Sequence, residues 1–172
     1  MLIKPEQVNL IKQNKVCLVK HFTDLKNQYD FDFISDLIQG NDLKIISKTS
    51  IGNLKDVFQM MNVSNSIMEL KIIFDFFKKL FQYETSIKDE IDLYFSFTSQ
   101  IGNPHIDVED VFIIGLNGKT VYQIFGVQDE FYEIKKGDLI FIPKGIKHKA
   151  IAVSSRIIGS IGFYGKRRAP LI

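Results

Sequence analysis

Between residues 91 and 164 the chain breaks into short apolar runs separated by turn signals, and this limits the fold more than any other feature. The runs are residues 91–98, 111–116, 120–125, 132–134, 139–142, 149–153 and 156–164. Between them fall Gly102-Asn103-Pro104, Asn117-Gly118, Lys136-Gly137-Asp138, Pro143-Lys144-Gly145 and Ser154-Ser155. Gly, Pro, Asn, Asp and Ser favour turns because they supply or fix unusual backbone angles, or bond their own backbone. Each run suits a strand and is too short for a helix. Many short strands at this spacing predict a sandwich or barrel.

The first 90 residues have a different texture. Residues 15–22 (KVCLVKHF) read as a strand, and Thr23 as the N-cap of a short helix through about residue 27. Residues 31–39 read as a second helix ended by Gly40, and 43–48 as a strand. The strongest helix covers 67–82, where Met68, Leu70, Ile73, Phe76, Phe77, Leu80 and Phe81 recur at helical spacing and Ser64 is placed to cap. No linker separates the halves. With 172 residues the expectation is one domain, an α/β part over 1–89 packing on a β core over 90–165 that holds any site.

Composition excludes several functions. A net charge of +2 is too small for a nucleic-acid binder, and the cluster Lys166, Arg167 and Arg168 reads as a solvated tail. Cys17 is the single cysteine, so no internal disulfide is possible, and its neighbours Val16, Leu18 and Val19 mark it as core rather than nucleophile. No window offers 18 uncharged apolar residues, and the first 15 residues lack a signal-peptide core, so a cytoplasmic location is expected.

The chemistry gathers in three side chains. In a strand, residues i and i+2 face the same way, so His105 and Asp107 can reach one metal ion from adjacent positions. His148, 43 residues on, is the candidate third ligand from another strand. Two His and one carboxylate on one side of a metal leave other positions open, the facial triad of non-haem Fe(II) oxygenases. A His-x-Asp pair alone is weak, since many chains carry one by chance. His21, at a strand end, reads as structural or exposed.

The context of His148 raises the odds. In Gly137-Asp138-Leu139-Ile140-Phe141-Ile142-Pro143-Lys144-Gly145-Ile146-Lys147-His148, a Gly, five residues, Pro, one residue, Gly, two residues and His follow one another. This resembles the second motif of the cupins. Ala152 stands where that motif often has Asn. The stretch from His105-Ile106-Asp107 through Phe112-Ile113-Ile114 to Gly118-Lys119 is similar to the first-motif region of Jumonji-C-type oxygenases and their cupin-like relatives, and the likeness extends over about residues 90–164. The resemblance implies a double-stranded β-helix, the cupin or jelly-roll barrel, binding Fe(II) through His105, Asp107 and His148. It implies 2-oxoglutarate as cosubstrate, decarboxylated oxidatively to succinate and carbon dioxide while a substrate is oxidised. It also suggests a homodimer, by analogy.

Many relatives grip the distal carboxylate of 2-oxoglutarate with Lys or Arg fifteen residues after the first His. Here that position is Thr120, and Val111 stands where Asn is frequent. Two residues can supply the missing cation. Lys119 would face inward if a bulge near Gly118 shifted the register. Arg156, eight residues beyond His148, is the other. In 93–98, Leu93, Phe95 and Phe97 form one face and Tyr94, Ser96 and Thr98 the other. That polar face, with Thr120 and Tyr122, either lines the cavity or meets solvent. Glu109, in phase with the ligand pair, is a neighbour of the metal or a rim residue. The rival readings are a metal cupin that does not use 2-oxoglutarate (a dioxygenase, isomerase or lyase) and a non-catalytic binding module. The substrate, small molecule or protein, is not readable from the residues.

Overall fold

A computed structural model describes residues 1–40, 45–47, 57–61, 63, 66–81, 91–97 and 99–163. Helices occupy the first half: α1 (Pro5–Lys12), α2 (Phe31–Gly40) and α3 (Met68–Phe81). Strands β1 (Cys17–Val19), β2 (Ile45–Ser47) and β3 (Val57–Met60) lie among them. The second half is all strand: β4 (Asp92–Ser96), β5 (Gln100–Ile101), β6 (His105–Ile106), β7 (Asp110–Asn117), β8 (Thr120–Ile124), β9 (Glu130–Ile134), β10 (Leu139–Ile142), β11 (Lys147–Ala152) and β12 (Arg156–Phe163).

The strands form two antiparallel sheets. One has seven strands in the order β1-β10-β7-β12-β4-β3-β2; the other runs β5-β11-β8-β9, with β6 also paired to β11. Alternation assigns the side chains. On β7, Phe112, Ile114 and Leu116 join Phe74, Phe77 and Phe81 of α3 in the larger apolar cluster, between sheet and helices. Val111 and Ile113 point the other way and meet Tyr122, Ile124 and Ile134 of the second sheet. Strands covered on both faces read as unbroken apolar runs, as β10 does with all four residues buried. Strand β8 has one face toward solvent, and its burial alternates.

The sequence expectations for 31–39, 43–48 and 67–82 correspond to α2, β2 and α3. Asp30 starts α2 by accepting the Phe33 N–H at 2.8 Å. Three elements were not foreseen: α1, which opens on Pro5, β3 and the two-residue β5. The helix expected from Thr23 does not form. Thr23 donates its N–H to the Gly137 carbonyl, and Phe22 and Leu25 are drawn into the core, so tertiary bonds outweigh local preference. Ser64, Thr98 and the basic cluster at 166–168 lie outside the described residues. Cys17 is buried in the core, and burial pushes its thiol up to about 11. His21 is exposed at a turn with φ 51°, its N–H bonded to Asp138. No helix among the described residues is long and apolar enough to cross a membrane.

Candidate metal centre and carboxylate pocket

Strand β11 builds one side of the site. Gly137 and Gly145 both take φ 82°, a region costly for any residue with a Cβ, and Gly145 closes the turn that carries the chain into β11. The Gly145 N–H bonds the Asp107 carbonyl at 2.9 Å, so the two motif segments are fastened at the turn. The register then pairs His148 with His105 across β11 and β6. Their rings sit 4.4 Å apart, centroid to centroid. Asp107 lies one residue past the end of β6, yet keeps the inward phase predicted for it.

The ring nitrogens sort themselves. His148 Nδ1 lies 2.9 Å from the Ile146 carbonyl and His105 Nδ1 lies 3.1 Å from the Asn103 carbonyl. A carbonyl only accepts, so each Nδ1 carries the proton and each Nε2 is left with its lone pair in the neutral ring. Both Nε2 atoms turn to the Asp107 carboxylate, at 3.8 Å from His105 and 3.4 Å from His148. One donor atom from each residue lies within 4.8 Å of the others. Three electron-pair donors converging this closely fit a divalent cation, and the backbone carbonyls behind the imidazoles are the outer partners that orient metal-bound His. His148 is 1% exposed. Burial holds its imidazole below the ordinary range against the opposing pull of the Ile146 carbonyl; His105 adds to the lowering and Asp107 opposes it. The neutral form is the one that ligates metal.

The triad opens into a cavity of about 280 Å³ between the sheets. Tyr94, Tyr122, Glu109 and Arg156 all contribute to its wall. The polar face of β4 therefore lines the interior, while Leu93 and Phe95 face the helices as the alternation predicts. Glu109 stands on the wall beside Asp107.

Arg156 is the unusual member. It is 5% exposed, and its Nη1 donates to Thr120 Oγ1 at 3.0 Å. It is also hydrogen-bonded to Tyr122. Burial weighs against its charge and Tyr122 supports it; burial likewise pushes the Tyr122 phenol up to about 12, with Arg156 acting in the opposite sense. Its two partners are neutral, and no carboxylate among the described residues pairs with it. A buried cation without an anion is costly, and a ligand carboxylate fits this corner.

Lys119 does not reach the cavity. Its Nζ pairs with Glu133 at 3.2 Å on the outer face of the second sheet, where both side chains are partly exposed. A bulge does occur nearby, where the β7–β12 register shifts between Ile157 and Ile158. It affects the other sheet and leaves β8 in regular pairing, so Thr120 faces inward and Lys119 outward. Sequence reasoning missed a further wall pair: Gln59 donates to Asp92 at 2.7 Å. Asp92 was within reach, since the Tyr94–Ser96 phase extends back to it. Gln59 sits on the unforeseen β3.

No family model matches the sequence, and no curated protein matches it. Solved structures do. The chain is similar to the X-ray structure of ycfD from Escherichia coli, with 19% identity, a TM-score of 0.71 and coverage of 99% of this chain and 54% of that one. A structure described as the E. coli ribosomal oxygenase YcfD matches with 20% identity, TM-score 0.71 and coverage of 99% and 52%. The same protein in complex with cobalt and 2-oxoglutarate matches with 20% identity, TM-score 0.70 and coverage of 99% and 52%. The chain thus spans about half the length of these structures. The likeness establishes the fold as a double-stranded β-helix, a jelly-roll barrel.

Proposed function

We propose that this protein is a non-haem Fe(II)- and 2-oxoglutarate-dependent oxygenase acting in the cytoplasm. One observation carries the reading: a single cavity holds three converging candidate metal donors, His105, Asp107 and His148, and a buried guanidinium, Arg156, that has no anionic partner among the described residues. When bound, the metal and 2-oxoglutarate supply oxidative decarboxylation to succinate and carbon dioxide, coupled to oxidation of a substrate. The chain's own residues orient and shield. His105, Asp107 and His148 hold the metal, and the Asn103 and Ile146 carbonyls fix the imidazoles. Arg156, with Thr120 and Tyr122 behind it, receives the distal carboxylate in place of the Lys or Arg that relatives carry at the Thr120 position. Tyr94 forms the wall between the two ends, and the buried sheets exclude water from the anchor. The binding of cobalt and 2-oxoglutarate by the structurally similar YcfD supports the same assignment.

Lys119 and Arg156 both facing solvent would have favoured the rival without 2-oxoglutarate; Arg156 faces the cavity. The test is succinate formation. Protein reconstituted anaerobically with Fe(II) and 2-oxoglutarate should yield succinate once oxygen is admitted, and His105→Ala should yield none. Metal uptake without 2-oxoglutarate binding would remove the cosubstrate from the proposal.

A further inference from the structure

The cavity wall carries two carboxylates that neither the metal triad nor the Arg156 corner uses. Glu109 and Asp92 both line it. Strand β12 connects them. Ser160 stands directly opposite Asp92 on β4, and Gly162, two residues on along the same face, lies against the Glu109 carboxylate. A Cβ at position 162 would fall 2.6 Å from both Glu109 carboxylate oxygens. The missing side chain is what lets this carboxylate rest on the strand inside the cavity. Asp92 is steadied from the other side by the Gln59 amide, at 2.7 Å. Burial first, then the negative charges of Asp92, Glu109 and Asp107, hold the Tyr94 phenol above its ordinary value. All three carboxylates therefore act on one region of the cavity.

Formal charges show what is left over. A divalent metal, the Asp107 carboxylate, the Arg156 guanidinium and a dianionic 2-oxo dicarboxylate cancel, with both imidazoles neutral. Asp92 and Glu109 leave two negative charges on the wall. Among the described residues no Lys, Arg or His pairs with Glu109. A carboxylate on the wall of a narrow cavity holds a charged donor more strongly than one in open water does. That the cavity takes ligands rests independently on the converging donors and the buried Arg156. We infer that the substrate brings a cationic nitrogen group, an ammonium or guanidinium on an aliphatic stem, and that Glu109 accepts its hydrogen bonds while Asp92 adds attraction. The inference deepens the oxygenase reading and rests on it.

Anaerobic calorimetric titration of the protein loaded with Mn(II) and 2-oxoglutarate is the test. The titrants are the Nα-acetyl amides of arginine, lysine and citrulline; citrulline keeps the shape of arginine and loses its charge. Wild type should bind at least one cationic amide about tenfold or more tighter than the citrulline amide, the worth of a hydrogen bond between charged groups. Glu109→Gln should erase that advantage and leave the citrulline amide unchanged. Gly162→Ala keeps the charge but pushes the carboxylate off the strand, so it should also weaken the cationic amide and spare the neutral one. Should Glu109→Gln fail to fold, Gly162→Ala decides in its place. Equal affinity for cationic and neutral amides, no binding of the cationic amides, or a Glu109→Gln variant that keeps the wild-type preference overturns the inference. If wild type takes up Mn(II) and 2-oxoglutarate yet shows no charge preference, only the cationic substrate is discarded. If it does not take up 2-oxoglutarate, both readings fall.

Discussion

At one end of the cavity His105 and Asp107 keep part of their side chains in solvent, 42% and 28% exposed. At the other, Arg156 and Thr120 are closed off from it. The metal end is built at the edge of the second sheet, on the two-residue strand β6 and the turn after it. The closed end is built where β12, β4 and β8 are paired in the middle of their sheets. The difference suits what each end must do. Under the proposed function, metal, oxygen and substrate need a way in, and His105 and Asp107 of the candidate ligand set stand at an open rim. A carboxylate anchor works best where water cannot compete for it, because charge-assisted bonds strengthen as the surroundings dry. Along β11, Ala152 pairs with Thr120 and lies four residues beyond His148, roughly 13 Å of strand.

The sharpest way to break this contrast is to remove a metal donor. Asp107→Ala should lower metal affinity by more than the roughly 10–100-fold that loss of an outer partner costs, and abolish succinate formation. Because Asp107 is part-exposed, the variant should keep the wild-type melting temperature within a few degrees; metal titration and thermal melting read the two effects.

The next effect lies at the closed end. Arg156→Leu should weaken 2-oxoglutarate about 100-fold or more, on the scale of about 3–5 kcal/mol for losing one partner of a buried charge pair. Unlike Asp107→Ala, it should leave metal binding intact and the free fold no less stable, since it removes a buried cation that has no anionic partner among the described residues. Adding Thr120→Lys should return part of the affinity, because position 120 faces the same corner.

A smaller effect tests the turn that leads into β10, away from the cavity. Asp138 opens β10, and its backbone bonds Gly115 beside the β7–β12 bulge. Burial pushes its carboxyl up, but the Lys20 ammonium and the His21 and Lys135 N–H groups outweigh this and hold it below the ordinary value. A carboxyl depressed in the fold stabilises it above the unfolded value of about 3.9, and that contribution is lost as pH falls below it. Asp138→Asn should cost about 1–3 kcal/mol at pH 7 by denaturant unfolding, with the gap to wild type shrinking below about pH 3.9. Lys119→Ala, outside the cavity, should change stability by less than about 1 kcal/mol and leave 2-oxoglutarate affinity unaltered.

The two ends also differed in how readable they were. The metal end was written in local spacing: His105 and Asp107 two apart, and His148 at a fixed step from Pro143 and Gly145. Strand alternation and turn chemistry act over a few residues, so a reader can apply them directly. The anchor depends on which strands become neighbours. Whether Arg156 or Lys119 supplies the cation is decided by β12 reaching across to Thr120, and by β8 keeping its register past Gly118. Both candidates were visible, but the choice between them was not. Likewise the polar face of β4 was legible as a face, while its burial follows from β3, a four-residue strand that the sequence reading did not foresee. The absent helix after Thr23 also follows from long-range packing, since Phe22 and Leu25 are buried in the core.

The central claim is that one cavity binds a metal at its open end and a carboxylate at its closed end. A crystal structure of the protein with Mn(II) and a non-reacting 2-oxoglutarate analogue tests it most directly. The account predicts Mn(II) on His105 Nε2, Asp107 and His148 Nε2, with the distal carboxylate within hydrogen-bond distance of Arg156. Metal bound elsewhere, or a distal carboxylate turned away from Arg156 toward solvent, would contradict it.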